Sequence, residues 1–563
     1  MNVDIDFIPK RVKLFRWLPA FGGLVFTVIF FCLSLTPSLL PRTWAVQGIV
    51  TGVTMAIGYG VGLVVSATYR WLAEHEFSKK IKARAWRALI VVSPILIAVF
   101  MLLGRSWQND VRHAVGAEYI DGLYMSLVLI VAVVIFVILM SCAKFTVFVA
   151  RRFKRLFHKK LPLRLAILLG ILISTTIVYL IVSDVFINNF LKVADGYYGR
   201  RDNTAPERID RPNSAERSGS PSSLIPWEEI GYQGRGFVGS GPSPADLEYF
   251  NHKTAKMPIR VYAGLASAKT ADERAKLVVD ELKRTKAFNR KVLVVATPTG
   301  TGWLDPKAVD ALEFMYNGDT AIATQQYSYL PSWISFLVDK ERAREAGRAV
   351  YDAVIDEYNK LPEGKRPKLL VYGLSLGSFG SQAAFSGVND ISRSVDGALY
   401  VGTPNDTELW RNVTNNRDIG SPEWQPNYRD GQKARFASNR QDLIDKSETW
   451  NGTRILFQQH ASDPVVWFSF DLPFHEPDWL KEPRGRGVSE ATRWYPIISF
   501  VQIGLDQALA GSAPVGYGHY YIDTTTYAWA SVLPPHDWTV EKSDKLQQHI
   551  NRSFDSKASS YNL

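Results

Sequence analysis

Cysteine is nearly absent: Cys32 and Cys142 are the only two in 563 residues, and both fall inside apolar runs. A disulfide framework, a cysteine-based zinc site and a thiol nucleophile in the polar part of the chain are therefore excluded. Acidic residues are scarce over the first third. Residues 1–191 carry 8 Asp/Glu against 21 Lys/Arg, a net charge of +13, whereas the remainder is close to neutral at −2. A nucleic-acid site would put its basic patch on the folded polar part, but this excess lies in short loops between apolar runs, so neither DNA nor RNA binding is implied. The sequence also lacks an HExxH or similar ligand cluster, and its Gly-rich loop at 297–303 has no following Lys-Ser/Thr. Neither a catalytic metal, a nucleotide nor any other cofactor is expected.

What is present begins with uncharged apolar stretches at about 17–41, 43–69, 88–104, 122–143 and 165–183. Most exceed the roughly 18 residues needed to cross a bilayer, and none shows the polar face of a soluble core helix. Five spans are expected within a membrane domain over residues 1–191. The first run follows Lys10 to Arg16 as a signal peptide would, but it is too long and lacks a cleavage site, so it reads as a retained span. Gly48 with Gly52 and Gly58 with Gly62 give the second run two small-residue spacings, suited to close helix packing.

Loop charge sets the orientation, because basic loops remain cytoplasmic. Lys10 to Arg16, Arg70 to Arg87 and Lys144 to Arg164 supply the basic loops, while the alternate loops hold Arg42, and Arg105 with Arg112. The N-terminus is thus expected inside and everything after the fifth span outside. Residues 192–225, rich in Arg, Asp, Ser and Pro, read as a polar linker.

From about 258, short β-branched runs alternate with amphipathic helices, which predicts a mainly parallel α/β sheet within a domain spanning 226–563. The strand at 368–372 runs directly into Gly373-Leu374-Ser375-Leu376-Gly377. This GxSxG spacing occurs by chance in about one chain in five of this length. Its position between a buried strand and a Gly/Ala/Ser-rich helix makes it a nucleophile elbow, in which glycines permit a sharp turn that lifts the serine oxygen above the sheet.

The partners of such a serine follow as acid and then histidine. Asp463, in the loop leaving the strand at 454–459, is the expected acid, although Asp-Pro is also a common turn. His252, His460, His475, His519, His536 and His549 are the available bases. His519, in the flexible Gly516-Tyr517-Gly518-His519 loop, is preferred, with His536 next. The oxyanion hole needs two backbone N–H groups. Leu376 supplies one by the geometry of the elbow, and the loop after the strand at 292–296 supplies the other, through Gly300 or Thr301.

Thr299-Gly300-Thr301-Gly302-Trp303, Gln326 to Trp333, the Ser375 elbow and Arg417 to Pro422 together resemble a bacterial membrane-anchored α/β-hydrolase family whose members carry a five-span N-terminal domain. The resemblance extends over nearly the whole chain. It implies an α/β-hydrolase fold with a Ser/Asp/His triad at Ser375, Asp463 and His519, and a multi-pass location in the bacterial inner (plasma) membrane. Two positions depart from the family pattern. Leu374 stands where an acidic residue is usual, and Gly516-Tyr517-Gly518-His519 stands for Gly-His-Gly-His, so His519 is the lone histidine of its loop.

Between the strands at 396–401 and 454–459 lie about fifty residues, far beyond an ordinary connection. A cap is expected over about 402–453. Trp410, Trp424, Tyr428 and Trp450 within it, and Trp467, Phe468, Phe470, Phe474 and Trp479 beyond Asp463, can line an acyl pocket, meet lipid headgroups or simply pack. Membrane lipids are the expected substrates, since a soluble ester would not call for five spans beside the enzyme. The expected function is an extracytoplasmic serine esterase, lipase or acyltransferase. A non-catalytic envelope scaffold or sensor on a hydrolase fold is the alternative. A transporter is disfavoured because Asp121 and Asp184 lie at span ends, not within a pathway.

Overall fold

The computed structural model describes residues 20–73, 77–157, 189–338, 340–444 and 450–558, with a few positions between 158 and 188. Four apolar helices come first: α1 (Phe21–Ser34), α2 (Trp44–Ala73), α3 (Lys79–Ala114) and α4 (Tyr124–Phe157). Among the described residues, α2, α3 and α4 are long and apolar enough to cross a membrane, which indicates membrane anchoring. The expectation of five spans is therefore corrected to three here. The first apolar run does not form one helix through 41. It gives 14 residues, about 21 Å of helix against a hydrocarbon core of about 30 Å. Pro37 and Pro41 follow closely and cannot continue it. The run expected at 165–183 lies mostly outside the described residues.

The glycine spacings of α2 divide between two neighbours. A Cβ at Gly48 or Gly52 would lie 2.5 Å from Val131 Cβ or 2.6 Å from Ile135 Cβ on α4, while one at Gly58 or Gly62 would meet the Phe26 carbonyl at 2.7 Å or the Gly22 carbonyl at 2.2 Å on α1. One helix thus holds both others at backbone contact.

The second domain is built on a seven-stranded sheet in the order β1-β3-β2-β4-β5-β7-β6. Its strands are β1 (Ile259–Ala263), β2 (Val292–Thr297), β3 (Thr320–Gln325), β4 (Lys368–Leu374), β5 (Gly397–Val401), β6 (Ala434–Ala437) and β7 (Arg454–Gln458). Every pairing is parallel. Continuous apolar strands such as Val292–Thr297, buried at each position, are what a sheet covered on both faces requires. The helices Ala271–Arg284 and Lys340–Asn359 pack together as one layer, and Pro306–Met315, Thr525–Val532 and Val540–Ala558 as another.

Two boundaries differ from expectation. Within the stretch expected as a linker, Glu216 to Ser218 lie against β1, with Arg260 N donating to the Glu216 carbonyl and Ser218 N to the Arg260 carbonyl, each at 3.1 Å. Arg217 and Ser218 are buried, so polar composition conceals a packed edge. The stretch expected as a cap at 402–453 contributes β6 to the sheet. A strand of four residues is too short to stand out by alternation.

Parallel pairing brings the C-terminal ends of β2, β4, β5 and β7 to one edge. That edge is where an open α/β sheet presents its reactive side chains.

Candidate active site

Ser375 directly follows β4 and adopts φ 56°, ψ −127°. A non-glycine residue held there stores on the order of 1–3 kcal/mol of strain, which the surrounding packing must impose. That packing is visible on both sides. A Cβ at Gly373 would lie 2.4 Å from the Gly377 carbonyl, and one at Gly377 only 2.2 Å from the Thr297 carbonyl. The Ser375 N–H donates to the Val401 carbonyl at 2.8 Å, tying the elbow to the end of β5. Ser375 itself is 7% exposed.

Asp463 caps the short helix Pro464–Trp467 through a 2.9 Å bond from Val465 N to its Oδ1. Its Oδ2 lies 2.6 Å from His519 Nδ1 and accepts the Tyr521 hydroxyl, also at 2.6 Å. Full burial would raise this carboxyl, but the His519 ring and the bonds from His519, Tyr521 and Val465 outweigh it, and the net shift is downward. The group stays an anion that accepts from the imidazole.

His519 reaches Asp463 because its loop is pinned on three sides. The Gly518 N–H donates to Ser462 Oγ at 3.0 Å, the Gly518 carbonyl lies 2.8 Å from His460 Nδ1, and the His519 N–H donates to the Ala510 carbonyl at 2.9 Å. Gly402, immediately after the carbonyl that holds Ser375, has φ +54°, and a Cβ there would lie 2.4 Å from His519 Cε1. The ring therefore packs against the end of β5, the strand to which the elbow is tied. Its Nε2 is buried and makes no hydrogen bond, leaving the second nitrogen available to take a proton.

Other expected positions fall elsewhere. His536 is exposed and faces its neighbour Asp537 at 2.6 Å. His549 packs against Phe250 and Phe314. Leu376 opens the helix Leu376–Gln382, so its N–H, like those of any first helical turn, has no intrahelical acceptor. The Gly300 N–H donates to Ser332 Oγ at 3.0 Å, because a missing side chain lets the Leu330–Ser332 backbone approach. Thr299 and Gly302 are committed inside the same loop, to the Trp303 and Thr299 carbonyls. Thr301 lies in that turn, partly buried.

Tyr521 was not legible beforehand, and His460, read only as one of the available bases, takes a different place. Tyr521 bonds Asp463 and also accepts the His460 N–H at 3.1 Å. His460 stacks on Tyr521 at 4.2 Å between centroids, and burial pushes it down to about 4, so it serves as a neutral bracket for the loop. Tyr521 stands two residues after His519, a spacing that carries no motif.

Among the described residues no group of His, Cys, Asp and Glu is arranged to hold a metal ion. Two clefts, of about 540 and 480 Å³, are lined by residues 265–274 with Tyr327, Arg342 and Glu345, and by residues around Arg417–Trp424. Neither of these two clefts is lined by Ser375 or His519.

A model of the N-terminus of an alpha/beta-hydrolase family matches residues 35–242, and a model of the alpha/beta-hydrolase family itself matches residues 259–546. No curated protein and no solved structure matches the chain. With a parallel sheet carrying an elbow serine and a late acid and histidine at one edge, matched from its first strand into its last helix, the chain belongs to the alpha/beta-hydrolase family.

Proposed function

We propose that this protein is a membrane-anchored serine hydrolase or acyltransferase that acts on acyl esters of envelope lipids, outside the cytoplasm. The observation that carries the reading is the 2.6 Å Asp463–His519 contact, beside an elbow serine and with Nε2 left unpartnered. Asp463 holds the proton on Nδ1, so Nε2 is the basic nitrogen. His519 takes the proton from Ser375 Oγ as that oxygen attacks the ester carbonyl. The Leu376 N–H, with a second donor from the 297–303 loop, stabilises the oxyanion. Collapse expels the alcohol, protonated by His519, and leaves an acyl-serine.

Deacylation by water makes a lipase, and deacylation by a lipid hydroxyl a transacylase. The near-complete burial of Ser375 favours the second, because a dry site suppresses hydrolysis. Lipid as substrate is supported by the way the two domains meet. The loop between α1 and α2 packs on the hydrolase domain, and the helix Ile498–Asp506 contacts both α1 and α2. Phe470, 63% exposed, touches that helix through its ring contact with Phe500, and Phe474, 76% exposed, follows Pro473, whose carbonyl accepts the Ile497 N–H at the helix start. Exposed aromatics at a membrane-side junction suit the headgroup level.

The test uses purified full-length protein and one phospholipid. Transacylation yields lyso-lipid and a more highly acylated lipid in equal amounts, whereas hydrolysis releases free fatty acid. Ser375→Ala is expected to abolish both products and labelling by a fluorophosphonate, with little loss of stability, since one oxygen is removed at a turn. Persistent labelling of that variant would identify another nucleophile, and an unchanged lipid acyl profile in a deletion strain complemented by it would leave the scaffold reading.

A further inference from the structure

Residues 35–42, between α1 and α2, belong to two cores at once. Leu35 packs in the membrane-domain cluster, while Leu39 and Leu40, fully buried, join the core of the hydrolase sheet. Arg42 ends the loop. Its Nε donates to Asp506 Oδ1 at 2.6 Å across 464 residues of sequence, and neither side chain is exposed. Ser38 Oγ donates to the other carboxylate oxygen. Gln502 Nε2 donates to the Thr36 carbonyl at 2.9 Å and the Ser34 carbonyl at 3.2 Å. On the membrane side Arg42 is held by Gln47 Oε1 at 2.9 Å, and its own carbonyl accepts Arg112 Nη2 at 3.0 Å and the Tyr124 hydroxyl at 3.1 Å.

What this junction supports is the histidine loop. The helix Ile498–Asp506 runs straight into the 3₁₀ turn Gln507–Ser512, whose Ala510 carbonyl accepts the His519 N–H. A Cβ at Gly518 would lie 3.0 Å from that carbonyl and 3.3 Å from Leu40 Cδ2. A side chain of the membrane domain therefore fills the space where a side chain on the residue before His519 would lie.

We propose that the 35–42 loop is a working part of the catalytic site, with Arg42, Asp506 and Leu40 as positioning residues that hold the His519 loop against Ser375. The membrane domain does more than anchor. A buried ion pair stripped of one partner is strongly destabilised, so removing Arg42 frees Asp506, then the 3₁₀ turn, then the histidine. Misplacing a catalytic group by about 1 Å costs on the order of a hundredfold in rate.

The proposal rests on His519 as the base, and its experiment has one readout that does not. Full-length protein in nanodiscs is compared as wild type, Arg42→Ala, Arg42→Lys, Leu40→Ala and Gly62→Ala. The last loosens α2 against the start of α1, at the end of both helices far from the loop. Hydrogen exchange at Gly518 and His519 is expected to quicken at least tenfold in Arg42→Ala, and less in Arg42→Lys, which keeps the charge. On a soluble p-nitrophenyl ester, kcat per folded molecule is expected to fall ten- to a hundredfold in Arg42→Ala and severalfold in Leu40→Ala, with KM within twofold. Gly62→Ala is expected to lower the melting temperature and leave kcat unchanged. Should Arg42→Ala not fold, Leu40→Ala and Arg42→Lys carry the same comparison. Unchanged exchange and kcat in the loop variants, or an equal loss in Gly62→Ala, overturns the proposal. A wild type inert toward both ester and fluorophosphonate overturns the serine-hydrolase reading instead, and the exchange result then decides the coupling by itself.

Discussion

Gly402→Ala is the smallest change that reaches the chemistry without touching a triad side chain. The added methyl would lie 2.4 Å from His519 Cε1, 2.8 Å from Nδ1 and 2.9 Å from Tyr521 Cε2. Ordinary carbon contacts begin near 3.5 Å, so the imidazole must retreat by roughly 1 Å, away from the serine and out of line with Asp463. A displacement of that size costs about a hundredfold in rate, or about 2.7 kcal/mol of transition-state stabilisation. The backbone adds its own term: φ is +54°, where an L-residue costs about 1–2 kcal/mol relative to glycine. Turnover of a soluble p-nitrophenyl ester is expected to fall about a hundredfold, with a parallel fall in the fluorophosphonate labelling rate, because both need His519 at Oγ. Gly364→Ala, where nothing lies within 4 Å of the new atom, is the control. A Gly402→Ala protein with kcat within threefold of wild type would falsify the placement of His519 as base.

Asp463→Asn is expected to lower kcat by about 10⁴-fold while preserving expression, because the amide can donate to Nδ1 and select the wrong tautomer; wild-type turnover would remove Asp463 from the mechanism. A cysteine at Ser560, in a Cys142→Ser background, is expected to react with a membrane-impermeant thiol reagent in intact cells, and one at Ser78 is not; reversed labelling would place the hydrolase domain in the cytoplasm. Asp305 is fully buried, and burial raises its carboxyl from 3.8 to about 7. The unfolded chain loses this proton first, so wild-type stability declines as pH rises from about 4 to 7 and is flat above. Asp305→Asn, which keeps the carbonyl that accepts Lys307 N, is expected to gain on the order of 2–3 kcal/mol relative to wild type between pH 5 and pH 8 in urea titrations; a difference independent of pH would refute the burial argument.

Much of the architecture was legible because its causes are local. A bilayer demands length and apolarity, so α2, α3 and α4 announce themselves, and a strand buried on both faces shows an unbroken apolar run, as Val292 to Ala296 does. The elbow is legible for the same reason, since a tight turn must carry its own glycines. Asp463 and His519 were expected as a pair from order and context alone, one after a late strand and one in a Gly-bounded loop, and their side chains meet at 2.6 Å.

Contacts between distant residues were decided only in three dimensions. The packing of residues 35–42 on the hydrolase domain depends on Asp506, 464 residues away from Arg42, and no window along the chain contains both. Tyr521 became part of the acid's environment because folding put its hydroxyl on Asp463. Gly402 matters through a ring more than a hundred residues later. The Gly300 N–H found a serine hydroxyl brought in by the next loop. Periodicity and turn chemistry record what a segment needs from its own neighbours. Hydrogen-bond competition and steric exclusion depend on what the completed fold places beside it.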